Sequence, residues 1–209
     1  MLYDTLIKNG TIIDGLGNQR RQGDIGIKDG RITAIGHIAE DSAATVINAE
    51  GLLVTPGWVD VHTHYDAQAT WDPTISPSSG HGVTTVIMGS CGVGFAPVKA
   101  DKHEWLIALM EGVEDIPGAA MVEGICWEWE RFPEYLDALE RRNYAVDIGC
   151  QVPHGAVRAY VMGERGTANE IATDEDIQAM RVIVAEGLRA GAFGFSTSRT
   201  LLHKALDGR

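Results

Sequence analysis

A chain of 209 residues can hold one ordinary domain with a sizeable core, and 44% hydrophobic with 22% charged residues argues against disordered and membrane-spanning classes. A net charge of −12 argues against a nucleic-acid partner, which needs a basic face. There is no run of about 18 apolar residues, and the start MLYDTLIKNGTIIDG lacks the basic region and apolar core of a secretory signal, so a cytoplasmic location is expected.

Residues 1–52 carry short β signals. Thr5-Leu6-Ile7 leads to Asn9-Gly10, then Thr11-Ile12-Ile13 to Asp14-Gly15. Asp24-Ile25-Gly26-Ile27 runs to Asp29-Gly30, and Arg31 to Ile35 alternates again. Asn-Gly and Asp-Gly between apolar runs mark hairpins. A small antiparallel sheet is expected, as a segment of a β-sandwich.

Residues 53–209 read differently. Leu52-Leu53-Val54 followed by Trp58 to His62 suggests a strand running toward the core. Gly82 to Met88, Tyr144 to Gly149 and Ala192 to Ser196 suggest three more. Between them, Trp105, Leu106, Leu109, Met110 and Val113 recur at helical spacing. Pro133 opens a helix carrying Leu136 and Leu139, where a first-turn proline is tolerated. Thr173 with Asp176 forms a capping pattern, Ile177, Met180, Val184 and Leu188 line one face, and Gly191 ends the helix. Strands alternating with helices imply parallel βαβ units. A doubly wound sheet and a (β/α)8 barrel both begin this way.

The sharpest local feature is Val59-Asp60-Val61-His62-Thr63-His64. On a strand, Asp60, His62 and His64 share one face, and Val59, Val61 and Thr63 take the apolar other. Strand rise would set the two imidazoles about 7 Å apart, close enough for one metal ion. They would also end the strand, where barrel enzymes place their chemistry. Two surface histidines in a loop are the bland alternative. Alternation places Thr85, Ile87, Gly89 and Cys91 on one face of the second strand, which Cys91 closes. A thiolate beside two imidazoles suits zinc, which takes N and S ligands. A buried packing cysteine is the alternative, weakened by Gly89, Gly92 and Gly94 around it. Gly92-Val93-Gly94 lacks the rest of a phosphate-loop fingerprint.

Pro56-Gly57-Trp58-Val59-Asp60-Val61-His62-Thr63-His64 after a β-rich segment resembles the amidohydrolase superfamily. His81 to Pro97, Trp127-Glu128-Trp129-Glu130, Gln151 to Gly155 and Gly194 to Arg199 resemble its D-aminoacylase (N-acyl-D-amino-acid deacylase) branch. The resemblance implies a (β/α)8 TIM-type barrel with a β-sandwich. It implies zinc, one or two ions, on His62, His64 and Cys91, with Cys91 able to bridge two positions. It implies hydrolysis of a linear amide, an N-acyl-D-amino acid giving a carboxylate and a D-amino acid. Cyclic amide hydrolysis and a non-catalytic scaffold are the rival readings. Gly80 stands where an aromatic is common in that branch, and Ser90 where Asn commonly precedes the Cys. The partner implied is a small N-acyl amino acid, with neither nucleic acid nor membrane.

A barrel needs about 250 residues, so 209 residues holding about four of eight strands are expected to be the N-terminal portion of a longer enzyme and inactive alone. The resemblance also implies two further His ligands and a catalytic Asp beyond residue 209. Asp60 suits a partner for a ligating imidazole's other N–H. His154, after the third strand, is a candidate pocket residue, with a structural role as the alternative; His203 could approach the site. His81 is expected to be structural, His37 and His103 surface residues, and Cys126 and Cys150 packing residues. Asp66 is kept as structural. Ser196 and Ser198 have no base motif nearby, which argues against a serine nucleophile. Three cysteines without a CxxC pair argue against a disulfide framework.

Overall fold

The computed structural model describes residues 2–114 and 116–198, so Arg199 and His203 lie outside the described residues. The chain divides into two compact units, Met1–Gly57 and Trp58–Arg209.

The first unit is a five-stranded sheet of β1 (Tyr3–Ile12), β2 (Arg21–Lys28), β3 (Arg31–Gly36), β4 (Ala43–Asn48) and β5 (Leu53–Val54). The β2–β3 hairpin turns at Asp29 and Gly30, both at positive φ (50° and 72°), as a type I′ turn requires. The sheet is mixed where the sequence suggested antiparallel pairing. β1 pairs antiparallel with β2, but β4 and β5 run parallel to it. After β3, a 3₁₀ turn at Glu40–Ser42 delivers the chain to the far side of β1. Alternation marks a strand and not its partner. Leu53–Val54 thus belongs to this sheet and does not lead into the second unit.

Asp24 organises this unit. It is buried, and its two carboxylate oxygens accept the backbone N–H groups of Asn9 and Ile38, each at 2.9 Å, with Lys8 Nζ at 3.6 Å. Burial pushes its carboxyl up, but the two N–H donors and Lys8 outweigh burial and hold it below the usual carboxylate range. A depressed folded pKa adds stability that is present above the unfolded value and lost as pH falls through the folded one. Asp24→Ala leaves two partly buried N–H groups without their acceptor. It should destabilise the unit by about 2–3 kcal/mol, measured by urea unfolding at pH 7, and the gap from wild type should narrow as the pH is lowered through the acid range. A gap that stays constant with pH would contradict this.

The second unit holds four parallel strands in the order β6 (Trp58–Asp60), β7 (Val83–Met88), β8 (Asp147–Pro153) and β9 (Gly194–Ser196). Helices α1 (His103–Glu114), α2 (Gly118–Gly124) and α3 (Phe132–Glu140) lie between β7 and β8. Helices α4 (His154–Met162), α5 (Glu164–Thr167) and α6 (Asp174–Ala190) lie between β8 and β9. A curled parallel sheet with helical connections is part of a (β/α)8 barrel, and its strand ends all emerge on one side. β8 begins at Asp147, later than the pattern suggested, and β9 is shortened to three residues.

Local signals are realised closely. Thr173 Oγ1 accepts the Asp176 N–H at 3.2 Å while Asp176 accepts the Thr173 N–H at 3.0 Å, a capping box, and Gly191 closes α6 at φ 115°. Along α6 the expected apolar face is only half buried: Met180 and Val184 pack on the core, while Ile177 and Leu188 are exposed. The helix packs most closely at Gly187, where a Cβ would come within 2.6 Å of Val152 Cγ2 and 3.1 Å of Phe132 Cδ1. Val86, Met88, Phe95, Phe132, Tyr135 and Val152 form the centre of the core, each burial worth about 1.5–3 kcal/mol. Val59, on β6 at the edge of the described sheet, and Val61, just past its end, both expected to pack under helices, are exposed. Among the described residues no helix is long and apolar enough to cross a membrane.

Candidate metal centre

Strand β6 ends at Asp60, so His62 and His64 stand in the turn that follows and not on the strand. The turn is still pinned to β7. Thr63 donates both its N–H (3.0 Å) and its Oγ1 hydroxyl (2.9 Å) to the carbonyl of Ile87. Thr63 is buried by this double contact, which leaves His62 exposed and His64 half-buried. Their ring centroids are 5.6 Å apart, closer than strand rise would give, since the chain is no longer fully extended.

Cys91 also departs from the strand geometry expected of it. β7 stops at Met88, and the chain turns at Gly89 (φ 75°), Cys91 (φ 57°) and Gly92 (φ 78°). Alternation therefore does not set the direction of Cys91; a left-handed turn does. Gly89 is required twice over. Its φ favours glycine, and a Cβ there would overlap the backbone carbonyl of Gln151 in β8. Gly94 is similarly crowded, with Pro153 Cγ at 2.8 Å and Asp66 Oδ1 at 3.0 Å from a would-be Cβ.

The turn brings three ligand-type side chains together. Donor atoms of His62, His64 and Cys91 all lie within 4.8 Å of one another, and His62 Nε2 is 3.0 Å from Cys91 Sγ. Tetrahedral zinc, with bonds of 2.3 Å to S and 2.0–2.1 Å to N, spaces such ligands by about 3.6 Å. The donor set and spacing fit zinc with small side-chain adjustments.

Asp60 lies below the pair, and its Oδ1 accepts the backbone N–H of His62 at 3.3 Å. This contact is to the main chain. His154 begins α4 at the end of β8, and its Nδ1 lies 3.1 Å from Thr197 Oγ1. Its Cβ would be 3.4 Å from a Cβ at Gly92, which places it beside the cysteine turn.

Two residues support the cysteine turn: Asp66, in the structural role expected of it, and Ser196, in a role the sequence did not suggest. Asp66 is buried behind the turn and accepts the Gly89 N–H at 3.1 Å. Burial pushes its carboxyl up to about 7, against the lowering effect of that N–H. Its position is held from the other side, where buried Tyr135 donates to the Asp66 carbonyl at 2.9 Å. Ser196, dismissed as a nucleophile, bonds the backbone of the cysteine turn. Its one sequence cue was its place at a strand end. Of the other expectations, His81 is the last residue of a 3₁₀ turn before β7, with its side chain exposed, and His37 is exposed. His103 is not a plain surface residue: it stacks on Trp127 at 4.0 Å. Cys150 is buried, whereas Cys126 is exposed, because its neighbours Ile125 and Trp127 turn toward the core and it faces the other way.

Residues 45–208 match the model of the Amidohydrolase family. The chain is 38% identical over 195 residues to a D-aminoacylase of Alcaligenes xylosoxydans xylosoxydans, covering 93% of this chain and 37% of that protein. It is 36% identical to an N-acyl-D-aspartate deacylase of the same organism, covering 93% of this chain and 36% of that one. The chain thus spans about a third of the length of these curated relatives. Among solved structures it is similar to an N-acyl-D-glutamate deacylase from Bordetella bronchiseptica, complexed with zinc and a phosphonate mimic of the tetrahedral intermediate. That likeness has TM-score 0.77 and 30% identity over all of this chain and 42% of the other. A D-aminoacylase studied for its binuclear metal centre gives TM-score 0.75 and 34% identity, over 93% of this chain and 38% of that one.

Proposed function

We propose, on the premise that this chain belongs to the amidohydrolase family, that the protein carrying it is a zinc-dependent hydrolase of N-acyl-D-amino acids. One observation carries the reading: a thiol and two imidazoles gathered within 4.8 Å where two neighbouring parallel strands end. The similarity to deacylases of N-acyl-D-amino acids supplies the substrate class.

In this reading His62, His64 and Cys91 hold one or two zinc ions. A zinc ion there supplies Lewis acidity toward the scissile carbonyl. The residues of this chain do the positioning. Thr63 ties the histidine turn to β7. Asp60 fixes the His62 main chain from below. His154, oriented by Thr197, lines the substrate side of the site. The remaining machinery, including the carboxylate that moves a proton to the leaving amine, is proposed to come from sequence outside these residues, and the 209 residues alone are proposed to be inactive. A location in the cytoplasm is part of the same proposal.

The test uses the full-length protein with N-acetyl-D- and N-acetyl-L-amino acids, with and without chelator. Turnover of the D-series alone, abolished by chelation and restored by zinc, is expected. Equal turnover of both series, faster opening of a cyclic amide, or indifference to the chelator would contradict the proposal.

A further inference from the structure

The turn that carries Cys91 has little holding it from within. Gly89, Cys91 and Gly92 are all left-handed, and the turn is a single short 3₁₀ turn over Ser90–Gly92, closed by the Val93 N–H to the Ser90 carbonyl at 2.9 Å. Ser90 contributes nothing from its side chain, since its hydroxyl is buried with no hydrogen-bond partner among the described residues. The stabilisation comes from the far end of the sequence. Ser196, the last residue of β9, accepts the Gly92 N–H on its Oγ at 2.8 Å and donates the same hydroxyl to the Gly89 carbonyl. Those two backbone groups flank Cys91 on either side. One hydroxyl therefore uses its donor and one of its two acceptor lone pairs to span the whole turn.

We infer that Ser196 is a positioning residue for the Cys91 thiol, fixing the left-handed turn that sets Sγ 3.0 Å from His62 Nε2. The inference rests on the reading of Cys91 as a metal ligand. Cysteine has no preference for φ 57°. Without the bridge, the Gly92 N–H and Gly89 carbonyl would keep only the weak geometry of a single 3₁₀ turn, and the turn would relax toward extended backbone and carry Sγ away from the imidazoles. The hydroxyl thus couples the end of β9 to the ligand geometry beside β7 without touching a metal.

The experiment uses the full-length protein loaded with Co²⁺, whose thiolate-to-metal charge-transfer band reports on the sulfur directly, together with Co²⁺ and Zn²⁺ affinities by chelator competition. The wild type tests the underlying reading, because absence of the band would mean that Cys91 is no ligand. Given the band, Ser196→Ala should weaken metal affinity roughly 10–100-fold, the range for loss of a supporting partner, and weaken or shift the band, with circular dichroism unchanged. Ser196→Thr, which keeps the hydroxyl, should restore both. Affinity and band within twofold of wild type in Ser196→Ala would overturn the inference. So would global unfolding of Ser196→Ala, or a folded Ser196→Thr as weak as the alanine variant, because each would mean that the hydroxyl does not act locally through the turn.

Discussion

Cys91→Ala is expected to abolish tight zinc binding while leaving the fold in place. The proposed site has one anionic donor, the thiolate, and two neutral imidazoles. Removing the sulfur takes away both a ligand and the negative charge that this trio sets against the cation. Loss of an outer supporting group costs roughly 10–100-fold in metal affinity, so loss of the ligand itself should exceed that. The stability cost should be small. Cys91 is half-buried in a turn and its left-handed φ is no harder for alanine than for cysteine. Chelator competition with elemental metal analysis checks the first point, and thermal unfolding of the metal-free proteins checks the second. Cys91→Ser sharpens the result, since a neutral hydroxyl is a poor substitute for a soft thiolate. Retention of stoichiometric zinc by either variant would mean that the sulfur is a bystander.

Gly89→Ala should have the largest effect on stability of any single methyl group in the second unit. A left-handed φ of 75° costs alanine about 1–2 kcal/mol. The added Cβ would also overlap the Gln151 carbonyl and approach its amide N at 3.1 Å. These are backbone atoms of β8, paired in the sheet on both sides, and they cannot swing aside as a flexible side chain would. Overpacking of this kind adds about 1–3 kcal/mol. The sum, about 3 kcal/mol or more, is a large fraction of a typical domain's stability. Gly80→Ala is the control, because a Cβ there meets nothing within 4 Å and its φ is not left-handed. Urea unfolding of both variants should give a large shift for the first and almost none for the second. Equal shifts would mean that the close approach of β7 and β8 at Gly89 is not real.

The metal-binding trio was legible in the sequence because its cues are short-range. Two histidines one residue apart behind an apolar run, and a cysteine among glycines behind another, need only alternation and the parallel-barrel rule to be brought together. The capping box of Thr173 and Asp176 was legible for the same reason. The geometry of the trio was not legible. Alternation carried both strands too far, since nothing local in Met88-Gly89-Ser90-Cys91 says that the chain turns left-handed there. That turn is set by the Gln151 carbonyl pressing on Gly89 and by Ser196, over 100 positions away. Asp66 was expected to be structural, but its contacts, with Tyr135 and the Gly89 amide, are long-range and were not legible. In the first unit, the parallel pairing of β4 and β5 with β1 was invisible because an apolar alternation does not name its partner. Cys126 failed as a core residue because hydrophobic neighbours in sequence, Trp127 among them, turn inward while it faces out.

The central claim is that a thiolate and two imidazoles of this chain bind one ion together. X-ray absorption at the zinc edge on the zinc-loaded full-length protein tests it most directly. One sulfur scatterer at about 2.3 Å with nitrogen scatterers at about 2.0–2.1 Å is predicted, and the sulfur shell should vanish in Cys91→Ala. A first shell of nitrogen and oxygen alone in the unsubstituted protein would contradict the account.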